Sequence, residues 1–420
     1  MSRLSHICIP AFVLALCACG SGGGTSPSSN NVSSQVSSVA SSSSVSSVTE
    51  PGSESSSSQS SVASSEPSNF DLSSVALSQK LGVGWNLGNT LEAVGGETAW
   101  GNPKATPELM QAVKAAGFDS IRIPVAWSQF SDAANFVIAT EWMDRVEEVV
   151  NDALDAELYV MMNMHWDGGW MQPTYAEQDY VLQRMDTMWR QIAERFANYD
   201  EHLIFACTNE VMVEGDYGTP SEEYYTVQNG YNQQCVDTVR ATGGNNPQRF
   251  LAVQGFNTNI DHTLSFFALP EDPADDKLLV EVHYYDPFNF TLNAESQITQ
   301  WGDEAEDPSK TESWANEGHV DRQFGRMKAR FVDQGIGVIL GEYGAMHRPN
   351  IDHHQQYQVY WDEYITASAL ENGLVPVVWD NGVTGNNGLG LFNRSSAEQA
   401  FPVLIDAITG ARHSANSFVR

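Results

Sequence analysis

Two glutamates sit at the ends of short apolar runs: Glu210 closes LIFACTNE, and Glu342 falls within VILGEYG, 132 positions further on (342 − 210). Runs of this length, bounded by loop-like sequence, read as buried strands. A carboxylate on the last residue of such a strand would be held rigidly and still reach the rim. Two of them facing each other can break a glycosidic bond, one protonating the leaving oxygen while the other attacks the sugar. Taken singly, either glutamate could equally be a solvated strand end. The neighbours favour the chemical reading. Asn209 precedes Glu210, Asn163 and His165 close another run, and His283 and Tyr285 a further one. Trp379 and Asp380 close the last, and Arg122 lies inside an apolar run. A buried arginine is costly unless paired. The Glu342 carboxylate is its obvious partner, which the guanidinium would keep ionised.

These residues need a scaffold that brings many strand ends to one place. Eight apolar, β-branched runs recur in order: LGVGWNLG, SIRIPVA, LYVMMNM, HLIFACTN, RFLAVQG, LLVEVHYY, GVILGEYG and LVPVVWD. Helical periodicity separates them at 106–116, 142–156, 177–198, 222–242, 318–334 and 355–371, with only a weak helix between the fifth and sixth runs. Strand and helix in alternation imply a parallel sheet, and eight units suggest closure into a (β/α)8 TIM barrel. An open doubly wound sheet is the alternative. In a barrel the polar residues that close the runs share the C-terminal lip, where active sites of this fold lie. Long insertions at 212–231 and 287–318 follow two of those strands, and loops at this lip shape a cleft.

The ordered set GWNLGNTLEA, IRIPVAW, NMHW, CTNEV, HYYDPF, GEYG and VVWD resembles glycoside hydrolase family 5, a cellulase family built on (β/α)8 barrels. The resemblance runs from about residue 81 to 381. It implies a retaining mechanism with Glu210 as acid/base and Glu342 as nucleophile. Asn209 resembles the asparagine that binds the sugar 2-hydroxyl, unless it merely caps a strand end. His165 and His283 resemble the two site histidines, unless they are satisfied core donors. Tyr285 resembles the phenol on the nucleophile, leaving Tyr284 to point away, and Trp379 resembles the platform beneath the sugar. Asn89 also falls at the lip. Trp100, Trp166, Trp170 and Trp301 are candidates for stacking on sugar, or they pin their loops. Two departures bear on substrate choice: Trp166 stands where many relatives carry a second histidine, and Val211 where many carry proline. The implied activity is endo-β-1,4-glucanase, on cellulose-type glucan, mixed-linkage glucan or xyloglucan. A β-1,4-mannanase, or a polysaccharide-capture lipoprotein on an inactive barrel, are the rival readings.

Composition narrows the partners. Lysine and arginine number 21 against 53 aspartates and glutamates, a net charge of −32, which argues against nucleic acid because phosphate binding needs a basic footprint. A neutral β-glucan suits that charge and a polyanionic glycan does not. No HExxH pattern, Cys–His cluster or phosphate-binding glycine loop occurs, so neither metal nor cofactor is expected. The acidic stretch Asp303, Glu304, Glu306, Asp307 could hold calcium or be a solvated loop. Arg3 and the apolar stretch 7–16 read as a secretory signal, and LCACG looks like a lipoprotein cleavage box that would leave Cys19 lipidated. The expected organisation is a signal at 1–18, a tether at 19–69 and one catalytic domain at 70–420. Serine supplies 24 of the 49 residues from 21 to 69, a composition with too little apolar bulk to fold. An exported, outer-membrane lipoprotein with a monomeric domain follows. Of the remaining cysteines, Cys207 lies in an apolar run, where a buried free thiol is the commoner finding than a disulfide with Cys235.

Overall fold

The structure, a computed structural model, describes residues 70–414; the expected signal, Cys19 and the serine-rich tether lie outside the described residues. Eight strands form: β1 Gly84–Asn86, β2 Ser120–Ile123, β3 Tyr159–Asn163, β4 Leu203–Ala206, β5 Leu251–Gln254, β6 Leu278–His283, β7 Gly337–Tyr343 and β8 Leu374–Val378. Each pairs in parallel with its sequence neighbours, and β8 returns to β1 to close the barrel. Every strand residue except Tyr159 is buried. That is why the runs read as continuously apolar, since strands covered on both faces have no polar side to show.

Ten helices accompany them among the described residues: α1 Ser74–Leu81, α2 Pro107–Ala115, α3 Thr140–Asp155, α4 Gln178–Arg195, α5 Glu222–Arg240, α6 Ile260–Phe266, α7 Phe288–Thr291, α8 Glu317–Arg330, α9 His354–Glu371 and α10 Pro402–Ser414. Their ends follow from local chemistry. Thr106 accepts from the Leu109 amide at the start of α2, with Pro107 in the first turn and Lys114 in the last, a combination that satisfies free amides and the helix dipole. Ser221 caps α5 in the same way. In α3 the buried stripe Trp142, Met143, Val146, Val149, Val150, Ala153 has helical spacing and seals the helix onto the strands. Burying each large aliphatic side chain contributes roughly 1.5–3 kcal/mol.

The weak helix expected before β6 is α6. Three helices are absent from the sequence reading: α1, the single-turn α7 and α10. α1 closes the floor: Leu77 and Leu81 pack with Met161, Ile204, Phe250, Leu279, Ile339 and Val375 inside the barrel. Its Ser74 hydroxyl accepts from the Gly337 amide at the start of β7. The expected insertion at 212–231 is half helix, because α5 begins at Glu222, so the free loop ends at Ser221.

The two ends of β7 differ. At its foot the pairing with β6 and β8 is regular, but it shifts at Val282/His283 and again between Leu340 and Tyr343. Irregular pairing of this kind re-aims side chains beside functional sites, and here it falls on His283 and Glu342.

Candidate active site

Arg122, fully buried in β2, is the hub. One guanidinium nitrogen lies 3.0 Å from Glu342 Oε1 and 3.0 Å from Asn86 Oδ1. A second donates to Asn209 Oδ1, and Nε sits 2.9 Å from Glu281 Oε1 as a close ion pair without the angle of a good hydrogen bond. Asn86 is fixed in turn by carbonyls of Gly341, Val377 and Val378. Glu342, on β7, is buried and takes its second clamp from Tyr285, whose hydroxyl donates to Oε2 at 3.1 Å. One oxygen each of Glu210 and Glu342 and a ring nitrogen of His283 lie within 4.8 Å of one another.

Glu210 is placed differently from the expectation. β4 ends at Ala206, so Glu210 stands four residues past the strand, in a turn, with φ 47°. A left-handed backbone at a non-glycine residue is costly and persists only where the surroundings impose it. The Gln254 side chain, at the top of β5, accepts from the Glu210 amide at 3.1 Å and fixes this turn. The next carbonyl, on Val211, accepts from Asn257, itself left-handed. The carboxyl is more exposed than that of Glu342, 39% against 7%.

His283 Nδ1 is 2.8 Å from Glu210 Oε1 and 3.7 Å from Glu342 Oε2, and Nε2 is 3.3 Å from Glu281 Oε1. Burial opposes its charge, but Glu342, Glu210 and Glu281 together outweigh that and push its pKa up to about 9. It is an imidazolium at neutral pH. His165 goes the other way. Burial, then repulsion from Arg122 and His283, hold it well below its usual range, and it stays neutral, 3.0 Å from Asn163 Nδ2. Arg122 pairs with Glu342 as expected, yet burial dominates that carboxyl: its pKa lies above the ordinary value, with His283 and Arg122 pulling it down and Glu210 and Glu281 adding to the rise. Arg122 alone does not set this carboxyl, because burial and the Glu210 and Glu281 carboxyls act against it.

Glu281 and Gln254 are site residues that the sequence reading passed over. Glu281 is buried in the middle of β6, facing the barrel interior beside Arg122. Gly341 makes room for it, because a Cβ there would stand 2.2 Å from Glu281 Oε1. The signal was an acid inside an apolar run, in a strand adjacent to one that ends GEYG.

Trp379 follows β8, half-buried and parallel to the His165 ring, with 6.1 Å between centroids. Gly88 lets the indole lie down, since a Cβ there would approach it to 2.8 Å. Asn89 lies on the loop after β1 with φ 53°; its amide bonds to Glu92, and its carbonyl accepts from Asn102. Trp100 and Trp166 are exposed on the loops after β1 and β3. Trp170 is a pinned residue. Its Nε1 donates to Asp167 at 2.7 Å, and the Arg184 guanidinium stacks on it. Trp301 is buried at 1% exposure against Tyr360 and Tyr364 and donates to the Ala315 carbonyl, so it anchors the β6–α8 loop and offers no face to a ligand. Tyr284 packs inward on Phe324 and Trp361, away from Tyr285.

In the acidic loop Asp303, Glu304 and Glu306 are exposed, and Asp307 caps the turn at Pro308–Lys310 through Ser309. Away from the mouth, Asp200, Glu201 and His202 bring three donor atoms within 4.8 Å just before β4. The cysteine expectation is overturned. Cys207 and Cys235 form a disulfide, their Cα atoms 5.8 Å apart, because Cys207 lies just past the end of β4 and faces α5 at bridging distance.

A closed parallel barrel with two facing glutamates at its C-terminal lip defines the class of barrel glycoside hydrolases. Comparison narrows the class. The model of the cellulase family (glycosyl hydrolase family 5) matches residues 86–385. Endoglucanase A of Paenibacillus barcinonensis is 41% identical over 370 residues, covering 82% of this chain and 92% of that one. A xyloglucan-specific endo-β-1,4-glucanase of Bacteroides ovatus is 41% identical over 357 residues, 80% of this chain and 70% of its own. The structure of a family 5 xyloglucanase from Paenibacillus pabuli superposes with a TM-score of 0.77 at 41% identity, covering 80% of this chain and 99% of that one. The chain belongs to glycosyl hydrolase family 5.

Proposed function

We propose that this chain is an endo-acting, retaining β-1,4-glucanase with xyloglucan among its substrates. The observation that carries the reading is the Glu210–Glu342 pair, with oxygens within 4.8 Å in unequal environments. Retaining glycosidases need carboxyls about 5–5.5 Å apart, too close to admit a water between them and an inverted sugar. Glu342, clamped by Arg122 and Tyr285 and unable to swing, attacks the anomeric carbon. Glu210, freer and beside His283, protonates the glycosidic oxygen as it leaves and then takes a proton from the water that releases the sugar from Glu342. Asn209, held by Arg122, faces the sugar 2-hydroxyl, and the half-buried Trp379 ring is the floor on which the sugar rests. Xyloglucan enters the reading through the two relatives with that specificity.

Reducing-sugar release on carboxymethylcellulose, barley β-glucan, xyloglucan and glucomannan tests this. Turnover on the glucans is expected, falling by roughly 10⁴ or more in Glu342→Ala. Binding without turnover on every glucan would sink the catalytic reading, and glucomannan as the sole substrate would replace the glucanase by a mannanase.

We also propose that the mature protein is anchored through a lipid on Cys19 in the outer membrane, a reading supported by LCACG and by the serine-rich stretch that follows. Incorporation of radiolabelled palmitate should occur in the native chain and be lost in Cys19→Ser; equal labelling of both would refute the anchor.

A further inference from the structure

Five ionisable groups crowd the centre of the mouth. Arg122 comes from β2, Glu210 from the turn after β4, Glu281 and His283 from β6, and Glu342 from β7. The other groups facing them are Tyr285 from the loop after β6 and His165 from the loop after β3, both neutral, and the amides of Asn86, Asn209 and Gln254. Two cations therefore stand against three carboxyls. With all three ionised the cluster would carry one uncompensated negative charge in a site where only the Glu210 carboxyl meets solvent, which is costly. One proton removes it.

Glu281 is the carboxyl that cannot hold that proton usefully. It lies 2.9 Å from Arg122 Nε and 3.3 Å from His283 Nε2, at 1% exposure, in a space left by Gly341. Both neighbours are donors, so it is fixed as an anion. Burial, the largest single influence, resists its charge, but Arg122 and His283 together outweigh it and hold its pKa below the ordinary range. The remaining proton belongs to the pair that faces the substrate.

We propose that Glu281 is a positioning residue whose fixed negative charge obliges the Glu210–Glu342 pair to keep one proton, so that the acid is loaded before substrate arrives. Through Arg122 it also orients Glu342, and through His283 it orients Glu210. The inference rests on the retaining reading above. Without Glu281's charge, two cations face two carboxylates, and the site is balanced with no proton on the acid.

The test is the pH dependence of kcat/KM on β-glucan for the full chain and two variants. In Glu281→Gln the alkaline limb should move down by about one pH unit, with activity at the wild-type optimum reduced about tenfold and KM nearly unchanged. In Glu281→Asp, which keeps the charge and shortens the reach, kcat should fall while the limb stays in place. A Glu281→Gln profile that is lowered uniformly at every pH, or unshifted, would overturn the proposal and leave Glu281 a packing residue. Infrared spectroscopy gives a readout that needs no Glu281 variant. The protonated-carboxyl absorption of the native chain at pH 6, to which the buried Glu92 and Asp362 also contribute, should exceed that of Glu210→Gln by one carboxyl; equal absorption in the two would overturn the proposal. Wild-type turnover abolished by Glu342→Ala, alongside an unshifted Glu281→Gln limb, would defeat the role of Glu281 and leave the hydrolase intact.

Discussion

An imidazole held between Glu210, Glu281 and Glu342, as His283 is, cannot lose its proton without leaving three carboxyls to share Arg122 alone. Its folded pKa of about 9 stands above the ordinary value near 6.5. The stability this contributes is therefore fully present below pH 6.5 and is lost as pH rises through about 9, on the order of 3 kcal/mol in all. His165 has the opposite sign: it is held neutral, so its contribution is present above pH 6.5 and is lost on acidification. Thermal melting from pH 6 to 10 should show a steeper alkaline decline in the native chain than in His283→Gln, and parallel slopes would refute the assignment. At this scale the sequence was legible wherever a residue closes a strand run, as His283, Glu342 and Trp379 do. It was not legible for Glu281, whose meaning comes from Arg122 on another strand and from an absent side chain at Gly341. Nor could it separate Trp301, turned inward, from Trp166, left at the surface, because a loop has no period to say which way a side chain points.

All eight strands were legible because burial on both faces leaves an unbroken apolar run, and most helices because one stripe of each is buried. α1 was missed because SVALSQKL carries too few apolar residues over eight positions to show a period. The position of Glu210 was missed because LIFACTNE reads as one strand, while the chain leaves the sheet after Ala206 to make a left-handed turn braced by Gln254. That turn is also tethered from behind. The disulfide from Cys207 to Cys235 joins the segment leading to Asn209 and Glu210 to the middle of α5 and closes a loop of 28 residues. Cross-links of this kind contribute about 2–4 kcal/mol, largely by restricting the unfolded chain. A Cys207→Ser, Cys235→Ser double variant should melt several degrees lower than the native chain. Addition of a thiol reductant should lower the native melting temperature and leave the variant's unchanged. Equal melting of both proteins would show that the bridge adds nothing.

At the scale of the molecule, charge and closure set the terms on which a polymer meets the site. The net charge of −32 disfavours a polyanion and is indifferent to a neutral glucan. The exposed indoles of Trp100 and Trp166 stand on loops around a mouth whose centre is ionic and buried. Beneath that centre the barrel is stoppered by Leu77 and Leu81 of α1, both without any exposed surface. A vessel sealed at one pole has a single doorway. A polysaccharide cannot be threaded through it, so every sugar that reaches the blade must come in, and every product go out, over the same sill.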